Sequence, residues 1–336
     1  MHYSSTLIQE TSVNRGRRHL LALGAAVAAS PFGVAAAADF PSKTIRIVVP
    51  FSAGALTDII ARIYAEKLSP MLGQPVIVEN RPGAGGITAS QAILSQPADG
   101  HTLLFVSSAH AANPALRKKL PYETEKDFSG LALLATSPSV IVIPANHPAR
   151  SLEDLIRQGK QNPGKLTYGS AGIGSATHLA GEYFRSEAGL QMVHVPYKGV
   201  QEAVTAVAAG QLDLAFPPIA LAQAMIKGGR IRALAVTSPE RVAAMPDTPT
   251  VAEKGFAGFD SSIWYALVAP SATPSPALQL LATHILRVSA LPDVAAKLRS
   301  QGLIQEKRTL AEFDRFIAQD MRKLAKLVRD SGIQPE

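Results

Sequence analysis

The residues best suited to chemistry are glycines and hydroxyl residues that follow short apolar runs. Residues 51–55 (FSAGA) follow the β-branched run 45–49, and residues 169–177 (GSAGIGSAT) follow a shorter run. Each loop precedes a helical pattern, so each leaves unpaired backbone N–H groups at a helix N-terminus, where an anion is stabilised. A single loop of this kind is equally compatible with a βα corner that holds no ligand. The hydroxyls and glycines of the second loop favour a carboxylate site.

Two further positions carry charge close to such loops. Tyr197 and Lys198 supply an aromatic ring and a cation at another strand end, although Lys198 is also compatible with a plain surface charge. Asp58 lies one turn into the first helix. It either favours the positive end of the helix dipole or receives an ammonium or hydroxyl group of a ligand.

Catalytic and metal-binding patterns are weak. The sequence has no cysteine, no H-E-x-x-H and no G-x-S-x-G around Ser170 or Ser175. The phosphate-loop near-match at 159–165 is followed by Leu166 where Ser or Thr would bind magnesium. His178 and His194 are interpreted as structural. No cofactor and no metal are predicted, and a secreted hydrolase using Ser170 or Ser175 is kept as an alternative.

The elements that position these residues are predicted to be alternating β-strands and α-helices. Strands are predicted at 45–49, 75–80, 102–107, 166–169, 192–195, 212–216 and 231–237, with helices between them. Uninterrupted apolar strands indicate parallel sheets covered on both faces, so the fold class is α/β. The units fall in two sets, 45–135 and 165–260, without a close sequence repeat. Strands at 139–143 and 264–269 are predicted to cross between the sets.

Helices are also indicated outside this alternating pattern. Ser151 and Asp154 have the spacing of a capping box at the start of a helix that ends near 162–164. The tail is predicted to hold two helices, of which the second, 310–331, has apolar residues at helical spacing.

The N-terminus and composition indicate export. Residues 1–38 combine arginines, an apolar stretch at 20–29 and an Ala-rich cleavage site, which is the pattern of a signal peptide. Both the twin-arginine and the general secretory route are open, and the mature chain is expected outside the cytoplasm. The net charge of +7 over 336 residues falls to +5 without this segment, because three arginines and one glutamate leave with it. No basic run interleaved with aromatics indicates a nucleic-acid partner.

Five blocks in order resemble one family. They are PFSAGALTDIIAR, ENRPGAGGITA, GSAGIGSATHLAGEYF, HVPYKGVQEAVTAVAAGQLDLAF and LAVTSPERVAAMPDTPTVAEKG, and together they cover nearly all of the mature chain. They resemble the Bug family, the extracytoplasmic solute receptors of tripartite tricarboxylate transport systems. The resemblance implies a two-lobed periplasmic binding protein, type II-like, with a ligand cleft between lobes. Lobe 1 is expected at 39–138 and 265–336, and lobe 2 at 139–264.

The resemblance also implies a function. It implies a monomeric receptor, not an enzyme, which closes over a small mono- or dicarboxylate and delivers it to the membrane components of a transporter; a coreceptor for a sensor kinase is the alternative. The implied ligand-binding residues are Phe51, Ser52, Ala53, Gly54, Ala55, Asp58, Ser107, Ser108, Ser170, Gly174, Ser175, Thr177, Tyr197, Lys198 and Asp213. Ala55 stands where the family commonly has a second glycine, and Leu56, the residue after it, is expected to face the tail of the ligand.

Overall fold

The computed structural model describes His2 and residues 40–335. The chain divides into two units, Met1–Ser42 and Lys43–Glu336, and all described strands and helices lie in the second. The predicted signal peptide, 1–38, lies outside the described residues except for His2.

Eleven strands and eleven α-helices are described in the second unit. The strands are β1 (Ile45–Val49), β2 (Val76–Asn80), β3 (Thr102–Ser107), β4 (Phe128–Pro138), β5 (Val140–Pro144), β6 (Leu166–Ser170), β7 (Met192–Pro196), β8 (Leu214–Ala215), β9 (Ile231–Val236), β10 (Ser262–Pro270) and β11 (Ile304–Gln305). The helices are α1 (Leu56–Leu72), α2 (Ile87–Leu94), α3 (Ser108–Leu116), α4 (Thr124–Asp127), α5 (Leu152–Gln161), α6 (Ala176–Ala188), α7 (Val200–Ala208), α8 (Ile219–Lys227), α9 (Ser275–Ser289), α10 (Pro292–Ser300) and α11 (Leu310–Asp330).

The strands form two sheets of matching topology, each the centre of one lobe. The first has the order β2-β1-β3-β10-β4-β11, and the second has the order β7-β6-β8-β5-β9. In each sheet three parallel strands come first and an antiparallel strand follows, β10 in lobe 1 and β5 in lobe 2. Both antiparallel strands enter from the other lobe. The two-lobed α/β fold predicted from the sequence is confirmed, whereas the exact lobe boundaries stay a prediction.

Burial explains why the central strands are largely apolar. Along β5, Val140 and Val142 face one apolar cluster of lobe 2, while Ile141 and Ile143 face another on the opposite side of the sheet. A sheet covered on both faces requires apolar residues at successive positions. The uninterrupted β-branched runs of the sequence therefore correspond to doubly buried strands.

Two segments join the lobes, and one threonine ties them together. Only Ser139 separates β4 from β5, and residues 260–261 precede β10. The hydroxyl of Thr237, which is fully buried, accepts a hydrogen bond from Ser139 N at 2.9 Å. It also lies 3.1 Å from Ser139 O and 3.0 Å from Ser261 O. These contacts hold the two crossing segments side by side at one hinge.

The sequence-based elements differ from the structure in several places, and the strand β4 was not predicted. The tail contains three helices, α9, α10 and α11, rather than two. Helices α3 and α8 were not predicted, and the strand predicted at 212–216 is reduced to β8. Pro114 inside α3 and Pro217-Pro218 before α8 obscure the helical pattern in both regions.

Candidate functional site

Three helix N-termini meet at one cavity of about 500 Å³ between the lobes. Helix α1 follows β1 through the loop 50–55, α3 follows β3 directly, and α6 follows β6 through the loop 171–175. Residues at the start of all three helices line the cavity, as do Ser261 and Ser262 at the hinge. Because helix N-termini carry partial positive charge and unpaired N–H groups, this arrangement stabilises an anion.

The loop before α1 is held by Asp58 and Asn80. Asp58 Oδ2 accepts hydrogen bonds from Gly54 N at 2.9 Å and from Arg62 Nε at 3.0 Å. Asn80 Nδ2 donates to Asp58 Oδ1 and to Phe51 O, both at 3.0 Å. Burial alone would raise the pKa of Asp58, but the hydrogen bonds from Arg62, Gly54 and Asn80 outweigh it and lower the pKa. Asp58 therefore acts on the loop, and it does not line the cavity.

Lobe 1 presents hydroxyl groups at the cavity. Thr57 is only 6% exposed, lines the cavity, and its Oγ1 has no hydrogen-bond partner within the described part of the chain. Ser107 and Tyr265 are also buried in the wall and are paired across β3 and β10. Burial raises the pKa of Tyr265 to about 12, so its hydroxyl stays a neutral donor. An unpaired buried hydroxyl is costly, so Thr57 is a candidate for contact with a ligand.

The glycine loop of lobe 2 is different, because its own atoms use most of its donors. The bonds run from Ala171 N to Thr177 Oγ1 at 2.9 Å, Gly172 N to Ser170 Oγ at 3.1 Å, Gly174 N to His178 Nδ1 at 3.1 Å, Ser175 N to Gly172 O at 3.2 Å and His178 N to Ser175 Oγ at 3.2 Å. Gly174 has a φ of +74°, and a Cβ at this position would lie 3.4 Å from Leu116 Cδ1 of lobe 1. The loop is thus rigid and close to the facing lobe.

A buried polar cluster supports this loop from behind. Ser170 Oγ lies 2.6 Å from His194 Nε2, and the rings of His178 and His194 stack with centroids 4.0 Å apart. Burial lowers the pKa of His178 to about 4, so His178 is neutral and its Nδ1 accepts from Gly174 N. The Ser170–His194 contact was not predicted, because 24 positions separate the two residues and they lie in two different sequence blocks.

The structure brings only part of the predicted site to the cavity. The predicted residues that line it are Phe51, Ala55, Leu56, Ser107, Ser108, Gly174 and Ser175. Ser52, Ala53 and Gly54 are exposed in the first loop, outside the lining. Ser170 and Thr177 lie behind the glycine loop, bonded to it.

Three other predicted residues also lie away from the lining. Tyr197 N donates to Ser170 O at 3.0 Å, so the segment that holds Tyr197 and Lys198 abuts the glycine loop. Asp213 is at the amino ends of β6 and β8, the edge opposite the loops, where its carboxylate accepts from Thr167 N at 2.7 Å and from Thr167 Oγ1 at 2.8 Å. The structure thus places Asp213 outside the cavity lining, because the parallel strands present their carboxyl ends to the cavity.

Several lining residues were missed by sequence reasoning. They are Thr57, Tyr265, Ile173, Leu116 and Ile263, with Arg117, Asp320 and Lys323 at the border. Thr57 and Ile173 lie within the blocks that carried the family resemblance, so their position beside a helix N-terminus was a usable signal. Leu116 and Tyr265 come from the end of α3 and from the crossing strand β10, which carry no local signal for a site.

A second cavity, of about 900 Å³, lies between the 238–244 segment and α10, β11 and α11. Glu240, Asp260 and Glu306 lie in its wall, and burial raises the pKa of Glu306. The guanidinium of Arg241 is already paired with Glu253 at 2.9 Å. Arg299, Arg308 and Lys323 lie in the same wall, so its charges are mixed. The three helix N-termini at the first cavity make that cavity the better candidate for an anion.

The chain matches a known family over most of its length. Residues 60–333 fit the family described as tripartite tricarboxylate transporter family receptor. The chain belongs to this receptor family. A protein from the tcbD-tcbE intergenic region of Pseudomonas sp. (strain P51) is 38% identical over 292 residues, 86% of this chain and 87% of that relative. Members of the family are receptors for solutes, in agreement with a cavity built from helix N-termini.

Solved structures support the same assignment. The periplasmic binding protein BugD is similar with a TM-score of 0.70 and 30% identity, covering 88% of this chain and 100% of BugD. R. palustris Rpa4515, solved with adipate, is similar with a TM-score of 0.74 and 29% identity, covering 89% of this receptor and 100% of Rpa4515. The resemblance to the Bug family is thereby confirmed.

Neither a membrane-spanning helix nor a metal-binding cluster occurs among the described residues. Within residues 40–335, no helix of this receptor has both the length and the apolar character needed to cross a membrane. The same residues contain no group of three or more His, Asp or Glu side chains that could hold a metal ion.

Proposed function

We propose that this receptor is exported through its 1–38 segment and captures a small organic carboxylate in the cavity between its lobes. It then presents the loaded form to the membrane components of a tripartite tricarboxylate-type transporter. The observation that carries the proposal is the unpaired hydroxyl of Thr57 beside the N-termini of α1 and α3. These donors suit a carboxylate, and the hinge at Thr237 allows the lobes to close over it.

The contacts follow from the geometry. The carboxylate is proposed to lie against Thr57, Ser107, Ser108 and the first-turn N–H groups of α1 and α3, with Ala55 and Leu56 beside it. Asp58, through Gly54, keeps the first loop in shape rather than touching the ligand. Tyr197 and Lys198 act on the glycine loop from outside the cavity. No step in this scheme breaks or forms a covalent bond.

The variant Thr57→Val tests the site. Valine has the shape of threonine without the hydroxyl, so the unfolding free energy should stay equal or rise as an unsatisfied polar group disappears. Affinity for carboxylates should fall about tenfold or more, because a hydrogen bond to a charged group contributes about 1.5–3 kcal/mol. Titration calorimetry on folded protein measures the affinity, and denaturant unfolding measures the stability.

The matched control is Thr205→Val. Thr205 lies on α7, outside the cavity lining, where its hydroxyl donates to Gln201 O at 2.9 Å. This variant should bind carboxylates as the wild-type protein does. Unchanged affinity in Thr57→Val would contradict the proposed site. A carboxylate at a hundredfold excess over Kd should raise the unfolding free energy of the wild-type protein by about 2.7 kcal/mol, and with it the thermal midpoint. If no carboxylate stabilises the wild-type protein, the receptor proposal itself is wrong.

A second candidate function rests on the contact between Ser170 and His194. Their separation of 2.6 Å is suitable for a nucleophile and its base. Ser170 is fully buried, however, and its hydroxyl also bonds Gly172, so substrate cannot reach it without opening the loop. A serine-directed covalent probe followed by mass spectrometry should leave Ser170 and Ser175 unlabelled; labelling of Ser170 would favour a hydrolase.

A further inference from the structure

Two walls of the cavity differ in the hydrogen-bond donors that they offer. We call them the lobe 1 jaw, at the N-termini of α1 and α3, and the lobe 2 jaw, the glycine loop before α6. The lobe 1 jaw has Thr57 Oγ1 without a partner, and neither α1 nor α3 has a side-chain cap. In the lobe 2 jaw, the N–H groups of residues 171, 172, 174, 175 and 178 all bond within the loop. The hydroxyls of Thr177, Ser170 and Ser175 accept three of those bonds, and His178 Nδ1 and Gly172 O accept the other two. Lobe 1 thus offers donors to an anion, and lobe 2 has used most of its own.

The lobe 2 jaw instead presents an apolar side chain. Ile173 lines the cavity and is 64% exposed. This is the largest exposed fraction among the large hydrophobic residues in the described part of the chain. Leu56, Leu116 and Ile263 lie in the same wall. An apolar group that covered Ile173 would remove this surface from water, whereas a charged group would lose its own hydration there.

The charged residues at the border of the cavity do not supply a second anion site of equal quality. Asp320 Oδ2 accepts a hydrogen bond from Trp264 Nε1 at 2.7 Å. Lys323 Nζ donates to Asp260 O and lies 4.6 Å from the centre of the Tyr183 ring. A carboxylate near this pair would meet the Asp320 side chain as well as the lysine. Arg117 also lines the cavity. Its contribution to anion binding is measured by comparing the affinities for a dicarboxylate and a monocarboxylate.

We propose that the ligand is a monocarboxylate with an apolar body, whose carboxylate lies in lobe 1 and whose body contacts Ile173 of lobe 2. The inference rests on the proposed function and narrows it from carboxylates in general to this class. This ligand class differs from the tricarboxylates after which the family's transporter is named.

A matched ligand pair tests the class. Hexanoate and adipate have the same number of carbons and differ in one end, a methyl in the first and a carboxylate in the second. Hexanoate should bind to the wild-type protein at least tenfold more tightly than adipate in titration calorimetry at constant ionic strength. From propionate to hexanoate, affinity should rise about fourfold for each added methylene, the factor that corresponds to about 0.8 kcal/mol per buried CH₂. Tighter binding of adipate or malate would overturn the proposal.

The variant Ile173→Lys tests the residue. It replaces the apolar wall by a cation, so hexanoate affinity should fall about tenfold and the preference should invert in favour of adipate. Val193→Lys is the control, since Val193 is a 47% exposed apolar residue on β7 outside the cavity lining. It adds the same charge and should keep the wild-type preference. An unchanged preference in Ile173→Lys, with a wild-type thermal midpoint, would overturn the role of Ile173.

The outcomes separate this inference from the proposed function. If no carboxylate of either kind binds to the wild-type protein, the receptor proposal fails first. If dicarboxylates bind and Thr57→Val weakens them, the carboxylate site stands and the apolar-body inference is wrong.

Discussion

At the scale of single residues, the first loop depends on one amide group. Asn80 Nδ2 reaches both Phe51 O and Asp58 Oδ1, and Asp58 in turn accepts from Gly54 N. One side chain from the end of β2 therefore fixes both ends of the loop that precedes α1. The donors of α1 can meet a ligand without rearrangement, which lowers the entropic cost of binding.

The variant Asn80→Ala should loosen this loop. Two acceptors lose their donor, so we expect the unfolding free energy to fall by about 1–3 kcal/mol. Carboxylate affinity should fall about tenfold because the free loop must be ordered on binding. Asn162→Ala is the control: Asn162 Nδ2 bonds Gln158 O at the exposed end of α5, far along the chain from the loop. Equal affinities in the two variants would contradict the role of Asn80.

The limits of sequence reasoning are visible at the same scale. Residues 51–56 and 174–175 were found because a glycine or hydroxyl after an apolar run marks the carboxyl end of a strand. Whether a donor faces the ligand could not be found this way. The hydroxyls of Ser170 and Thr177 accept hydrogen bonds from Gly172 N and Ala171 N within the loop. These bonds become visible only in the folded structure. The position of Asp213 at the amino end of β8 depends on the register between β6 and β8, which the sequence does not reveal.

At the scale of elements, helix α6 lies unusually close to its sheet. Gly181 lies over the ring of Tyr168, and a Cβ at this position would fall 2.2 Å from Tyr168 Cε2. The ring cannot move away freely, because Tyr168 OH bonds Glu182 at 2.6 Å and the ring stacks on His194. This close approach sets the height of the α6 N-terminus above the cavity.

The variant Gly181→Ala should therefore displace α6. We expect destabilisation of about 1–3 kcal/mol from overpacking, and weaker ligand binding because Gly174 and Ser175 move with the helix. Gly199→Ala is the control, since a Cβ at Gly199 meets no atom within 4 Å. Urea unfolding and calorimetry on both variants give the comparison. A Gly181→Ala protein as stable as Gly199→Ala would show that the helix adapts without cost.

Elements were predictable where one local pattern decided them. The strands β1, β3 and β9 are mostly apolar, although β1 and β9 each contain one arginine. Ser151 does cap α5 by accepting from Asp154 N at 3.1 Å. In α3 the proline at 114 lies inside the helix, and the helix persists because Ala111 and Ala112 are buried in the core of lobe 1. Tertiary packing overrides the local signal there, so the sequence alone could not reveal it.

At the scale of the whole molecule, the two lobes share a topology without sharing a sequence. In each sheet the antiparallel strand comes directly after a segment that crosses from the other lobe. Both β5 and β10 lie inside their sheets, which explains why they are buried throughout most of their length. Because two segments pass between the lobes and are held together at Thr237, we expect the two lobes to unfold together.

A buried histidine then makes the stability of the whole molecule depend on pH. His110 of α3 is packed against the rings of Tyr122 and Phe128 at 6.0 Å and 5.1 Å, and its Nε2 has no partner in the described part of the chain. Burial lowers the pKa of His110 to about 4, against 6.5 when the group is unperturbed. The neutral ring is thus favoured in the folded protein, and protonation favours the unfolded chain.

The variant His110→Phe should reduce the loss of stability in acid. Because the folded pKa lies below the unfolded one, the contribution of His110 is complete above pH 6.5 and is lost as the pH falls towards 4. Between these values the unfolded chain binds one proton more, which lowers the unfolding free energy by up to about 1.4 kcal/mol per pH unit. Urea unfolding at steps from pH 7 to 4 should show a slope smaller by this amount in the variant. Since His178 is shifted in the same direction and is retained, part of the acid sensitivity should remain. Identical slopes in the two proteins would mean that His110 gains its proton without unfolding.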